Sequence, residues 1–257
     1  MATWDPDQYR KFADHRLRPA LDLMARIPLA KAETVWDLGC GAGNVTKLLA
    51  ERFSGARVVG VDNSPEMLAK AGAIPGIAWL AGDVATWSSP HPADLVFSNA
   101  VLHWIPDHER LAPRLFSQVR PGGVLAIQVP RNFAAASHAE LYATARSPRW
   151  RDRLARLTSL LGVATPSEYW RWLEPFSSVL DIWETEYLHV LTGENAVVEW
   201  TKGTAVKPYL DALPAAEQAD FLADYGARIA KAYPRERDGR TLFPFRRLFI
   251  VATRKAA

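Results

Sequence analysis

Between residues 34 and 130, short apolar runs alternate with segments of helical spacing. The run 34–38 reads as a strand. Residues 44–53 then place apolar side chains at one-turn intervals, as on one face of a helix. Strands are predicted again at 56–61, 77–81, 93–98 and 124–129, with a turn at Pro121-Gly122-Gly123 before the last. Ser64 with Pro65 marks a helix start, and Asp107 caps a helix running to about Val119. Strands alternating with helices argue for a parallel α/β sheet wound on both faces.

After Pro130 the texture changes. Residues 131–176 carry charged helical segments, and Thr165-Pro166-Ser167-Glu168 has capping-box spacing. A long strand is predicted at 179–191, helices at 194–206 and 215–232, and a final strand at 245–253. Two late strands separated by helices would bring the sheet to seven strands, mostly parallel, with an antiparallel edge strand. The expected organisation is one integrated domain. It has an N-terminal cap helix within 1–30, a ligand-binding core over 31–130, and a helical cap with the last two strands over 131–257.

Composition narrows the function classes. The chain has 257 residues, 49% of them hydrophobic, which suits a packed core. Net charge is +3 and the pI is near 9.0; this mild, scattered excess fits a small anionic substrate and does not imply nucleic-acid binding. A single cysteine, Cys40, excludes an intrachain disulfide and suits a reducing, cytoplasmic location. Neither a signal peptide nor a bilayer-spanning run is read from the pattern. Of the ten tryptophans, most are expected in the core, with Trp87 or Trp104 as alternatives for lining a ligand pocket.

The candidate chemistry lies at Asp37-Leu38-Gly39-Cys40-Gly41-Ala42-Gly43, where a strand runs into a glycine-dense turn and then a helix. Glycine permits tight turning and close ligand approach, and a helix start presents free N–H groups. The dinucleotide fingerprint G-x-G-x-x-G is not met, because the third glycine falls one place early and Asn44 occupies its position. Asp62 closes the second strand, where a carboxylate suits ribose hydroxyls. Asp37 reads either as part of the ligand site or as a brace for the turn. Cys40 has no assignable activating base.

Four segments together resemble the class I S-adenosylmethionine-dependent methyltransferases. They are the loop Asp37 to Gly43, Val61-Asp62-Asn63-Ser64, Gly82-Asp83-Val84, and Leu115 to Gly123 with its Val-Arg-Pro-Gly-Gly ending. The resemblance implies a Rossmann-like fold that binds S-adenosylmethionine and releases S-adenosylhomocysteine, with no metal. It implies that the backbone at Gly39 and Gly41 passes under the methionine part and that Asp62 takes the ribose hydroxyls. It places Asn63 and Met67 beside the adenine, Asp83 and Val84 at its polar edge, and Asn99 and Ala100 near the sulfonium.

The acceptor is read from other segments. The Asn/Asp-Pro-Pro-aromatic motif of nucleic-acid amino-methyltransferases is replaced by Asn99-Ala100-Val101-Leu102, which argues against a base acceptor. The opening Trp4 to Tyr9, the run Phe12 to Pro19, Asn99 to Pro106, Val129 to Asn132 and Leu242 to Arg247 resemble a subgroup that esterifies trans-aconitate. A carboxylate is already ionised at neutral pH and needs no general base, so no catalytic residue is assigned. Candidate acceptor contacts are Tyr9, His15, Arg16, His103, Arg131, Trp200 and Arg246, chosen because guanidinium forks and polar aromatic groups suit carboxylates. Strand alternation sends Arg246 and Arg247 to opposite faces, so at most one serves a given site. A monomer is expected, without membrane or nucleic-acid partners. Another small acid or natural product as acceptor, and a non-catalytic cofactor-binding protein, are the competing readings.

Overall fold

The structure, a computed structural model, describes residues 13–159 and 162–256; the side chains of residues 13–16, 158 and 159 are not described. Contacts divide the described chain into two compact units. One comprises Leu17–Pro130, Val163–Thr185 and the chain from Arg247 on; the other comprises Arg131–Gly162 and Glu186–Arg246.

The first unit is built on the sheet. The strands of the sheet are β1 (Thr34–Leu38), β2 (Arg57–Asp62), β3 (Ala78–Ala81), β4 (Ala93–Asn99), β5 (Val119–Pro130), β6 (Ser177–Leu191) and β7 (Thr241–Arg254), in the order β3-β2-β1-β4-β5-β7-β6, and the first unit holds all of them but 186–191 of β6 and 241–246 of β7. β1 to β5 pair in parallel, and β7 runs antiparallel to β5. The antiparallel strand beside β5 is therefore the second from the edge, and β6 is outermost. Strand order reverses between β1 and β4, so the crevice at their carboxyl ends is the topological switch point where open α/β sheets take ligands. Alternation along the strands buries Trp36, Val59, Val96, Leu125, Ile127, Leu248 and Ile250 in one cluster with Leu111, Leu115, Tyr169 and Leu173.

Local chemistry sets the helix starts. Ser64 Oγ accepts from Met67 N at 3.3 Å to open the helix Pro65–Ala71. Thr165 and Glu168 form the reciprocal capping box of the helix Pro166–Leu173. The predicted turn at Pro121-Gly122-Gly123 needs correction: these residues lie inside β5, which begins at Val119. The pairing with β4 shifts register between Ala93 and Leu95 to accommodate them. Gly122 has φ +74°, and a Cβ on Gly123 would lie 2.8 Å from the Asp94 carbonyl, so the two glycines make this irregularity possible.

In the second unit, the helix Ala215–Ala232 packs Phe221, Tyr225 and Ile229, at four-residue spacing, into a core with Leu141, Trp150, Trp200, Tyr209 and Phe243. The single helix expected over 194–206 is two short ones, Ala196–Lys202 and Lys207–Asp211. Gly203 at the end of the first and Pro208 in the first turn of the second separate them. No helix among the described residues is long and apolar enough to cross a membrane.

Candidate functional site

The glycine turn connects β1 to the helix Asn44–Arg52. Gly39, Gly41 and Gly43 have φ of +74°, +55° and +82°. A Cβ on Gly39 would stand 2.1 Å from Val101 Cγ2, whereas one on Gly41 would meet nothing within 4 Å. Gly39 is thus required by packing as well as by backbone conformation, and Gly41 leaves open space beside the chain. The N–H groups of Gly39 and Cys40 both donate to the Val61 carbonyl, at 2.7 and 3.0 Å, and seat the turn on β2.

Asp62 ties the second half of the turn. Its Oδ2 accepts from Gly41 N at 2.8 Å and its Oδ1 from Ser64 N at 2.9 Å. Each oxygen keeps a second lone pair, and the residue is only half-buried, so the carboxylate can still take two hydroxyl donors. Asn63 beside it is exposed, and Met67 is buried in the helix that Ser64 caps.

Asp37 is the brace. It is buried in β1, and Thr46 Oγ1 donates to its Oδ2 at 2.6 Å across the glycine loop. Burial pushes its pKa up to about 7; the Thr46 bond opposes this and the Asp62 charge adds to it. Burial and the charges of Asp37 and Asp62 likewise push the Cys40 thiol well up, so it is no nucleophile at neutral pH. The Asp62 carboxylate at this loop suits a cationic ligand such as a sulfonium better than a pyrophosphate.

After β3, Asp83 is exposed and its Oδ1 accepts from Ala85 N at 2.8 Å, while Val84 is buried. Arg114 clamps this loop, donating to the carbonyls of Trp87, Val84 and Ala85. After β4, Ala100 takes a left-handed φ of +58°, rare without glycine, and its N–H donates to the Gln128 carbonyl at 2.8 Å. Asn99 Oδ1 is buried with no hydrogen-bond partner among the described residues. His108 holds the turn beyond: its Nε2 lies 2.9 Å from both the Leu102 and Ile105 carbonyls, and its Nδ1 bonds the Tyr169 hydroxyl. Two carbonyl neighbours require Nε2 to carry a proton.

The acceptor candidates fall in several places. Tyr9 lies outside the described residues, as do the side chains of His15 and Arg16. In the sheet unit, His103 is buried on the turn Leu102–Trp104 with its ring 4.6 Å from that of Trp104. Trp104 is exposed, and Trp87 is a core residue packed on Trp36. In the second unit, Arg131 N donates to the Arg246 carbonyl, and Arg246 points outward to Glu186 at 3.5 Å. Trp200 is buried and stacks on His189 with ring centroids 4.6 Å apart, the packing role of a tryptophan. The polar groups that sequence reasoning missed are Arg114, His108 and Gln128, whereas Arg247, there weighed against Arg246, is the buried one of that pair. Only the uncommon choice of glutamine in an apolar strand signalled any of them.

Comparison with known proteins finds the following likenesses. A model described as a methyltransferase domain matches residues 35–123. The chain is 49% identical to the trans-aconitate 2-methyltransferase of Methylobacterium nodulans, covering 99% of both chains. It is also 49% identical to that of an Azoarcus species, covering 99% of this chain and 100% of the relative. Among solved structures, the YcgJ protein from Bacillus subtilis aligns at TM-score 0.59 and 13% identity, over 95% of this chain and all of that one. An S-adenosylmethionine dependent methyltransferase from Mesorhizobium loti aligns at TM-score 0.50 and 22% identity, over 91% and 96%. These two likenesses concern the fold.

Proposed function

The chain belongs to the trans-aconitate 2-methyltransferase family, and from that membership we propose that it transfers a methyl group from S-adenosylmethionine to one carboxylate of trans-aconitate. The products are S-adenosylhomocysteine and a monomethyl ester. The observation that carries the reading is the acidic, glycine-built turn at the sheet's switch point, with Asp62 fixed by two backbone N–H groups and half-open to solvent.

Bound there, S-adenosylmethionine supplies a methyl carbon already activated by its positive sulfur. Gly39 and Gly41 let the backbone approach it, and Asp62 accepts the ribose hydroxyls. Asp83 and Val84 take the adenine edge on a loop that Arg114 holds in place, with Asn63 and Met67 flanking. Asn99 and Ala100 lie on the far side of the switch point, where the unpartnered Asn99 Oδ1 is available to the cationic end of the ligand. The acceptor oxygen attacks in line, its electron pair forms the new O–C bond, and the C–S pair stays on sulfur. No proton moves, so the protein's contribution is alignment and exclusion of water.

Purified protein incubated with S-adenosylmethionine and trans-aconitate is expected to yield S-adenosylhomocysteine and monomethyl ester in equal amounts. Formation of neither, by protein that binds S-adenosylhomocysteine, overturns the acceptor assignment. A panel of other acids and phenols then identifies the acceptor.

A further inference from the structure

We propose that Gln128, with Arg247 beside it on the same face of the sheet, grips a carboxylate of the acceptor, which makes Gln128 a specificity-determining residue of the reaction proposed above and rests on that reading. Gln128 sits near the carboxyl end of β5 and is 0% exposed. Neither its Oε1 nor its Nε2 has a hydrogen-bond partner among the described residues. An amide buried with both ends unsatisfied is costly to the folded state, and a leucine would serve a purely structural strand better. Such a cost persists where a ligand recovers it.

The register shows what stands around that amide. Gln128 is level with Asn99 on β4 and with Phe249 on β7, so the three side chains share one face. Arg247, two residues from Phe249 and level with Pro130, is on the same face and 5% exposed. Arg246, its neighbour in sequence, points the other way to Glu186. On the far side of Phe249, Trp183 stacks against it with ring centroids 4.8 Å apart, which keeps that flank apolar. Gln128 thus lies between the residue placed nearest the reacting methyl and a buried guanidinium. Its backbone is already engaged there through the bond from Ala100 N. A carboxylate accepts from Gln128 Nε2–H with the positive charge of Arg247 beside it, and Oε1 is left to face Asn99. The amide is sealed from solvent, so acceptor binding has to uncover it, and the bound carboxylate then meets that donor and that charge without competing water.

The test compares Gln128→Leu and the nearly isosteric Gln128→Glu with wild type, reading KM for trans-aconitate, kcat, S-adenosylhomocysteine affinity by calorimetry, and melting temperature. Gln128→Leu is expected to melt at or above wild type and to bind S-adenosylhomocysteine within twofold. Its KM is expected to rise at least tenfold while kcat falls less. Gln128→Glu, which opposes one carboxylate with another, is expected to raise KM further, and it decides the matter if leucine is not accommodated. A KM within threefold of wild type in either folded variant overturns the assignment and leaves the proposed function standing. Wild-type protein that binds S-adenosylhomocysteine but makes no product from trans-aconitate overturns the functional reading, and this inference with it.

Discussion

Replacing Asp37 with asparagine should change how the protein's stability depends on pH. The carboxyl group is buried in β1 and accepts one hydrogen bond, from Thr46. Its pKa is raised from 3.8 to about 7, chiefly by burial. Below pH 3.8 it is protonated in both folded and unfolded chains. Between pH 3.8 and about 7 the unfolded chain has lost this proton while the folded one retains it, so stability falls as pH rises and levels off above about 7. The pKa difference corresponds to a loss of about 4 kcal/mol across that window. Asparagine keeps an acceptor for Thr46 and has nothing to titrate. Urea unfolding of both proteins from pH 4 to pH 8 measures the difference, in which the titrating groups that do not sense Asp37 cancel. The two stabilities should agree within about 1 kcal/mol near pH 4, and the asparagine variant should lead by several kcal/mol at pH 8. Parallel curves, separated by less than about 1 kcal/mol throughout, would refute the placement of a desolvated carboxyl beneath the glycine turn.

Three further outcomes are expected. Asp62→Ala removes the proposed ribose acceptor and should weaken S-adenosylhomocysteine binding by about 1–3 kcal/mol in calorimetry; unchanged affinity would take Asp62 out of the site. Gly39→Ala should lower both melting temperature and cofactor affinity, because the new Cβ meets Val101 and the backbone is left-handed. Adding Val101→Ala should recover the steric part and leave about 1 kcal/mol of backbone cost, and no recovery would show that Val101 is not the obstacle. Thr165→Ala dissolves the capping box and should lower the melting temperature by about 2–4 °C with cofactor affinity unchanged.

Features that depend on near neighbours along the chain could be read before any folding was considered. The strand–turn–helix at 34–52, the caps at Ser64 and Thr165, and the acidic strand end at Asp62 were legible because their chemistry closes within a few residues. Alternation also showed that Arg246 and Arg247 face opposite ways. Which of them is buried was decided only when β7 paired with β5 and placed Arg247 on the face of Gln128. The same holds for Asp37, which resolved to a brace once Thr46 folded back on it, and for His108 meeting Tyr169 across 61 positions. The strand through Pro121-Gly122-Gly123 was hidden for a related reason: proline and glycine argue locally for a turn, and only the partner strand's register carries them into the sheet. Local preference is set by backbone sterics within a few residues, whereas burial and pairing depend on strands that come together only when the whole sheet has formed.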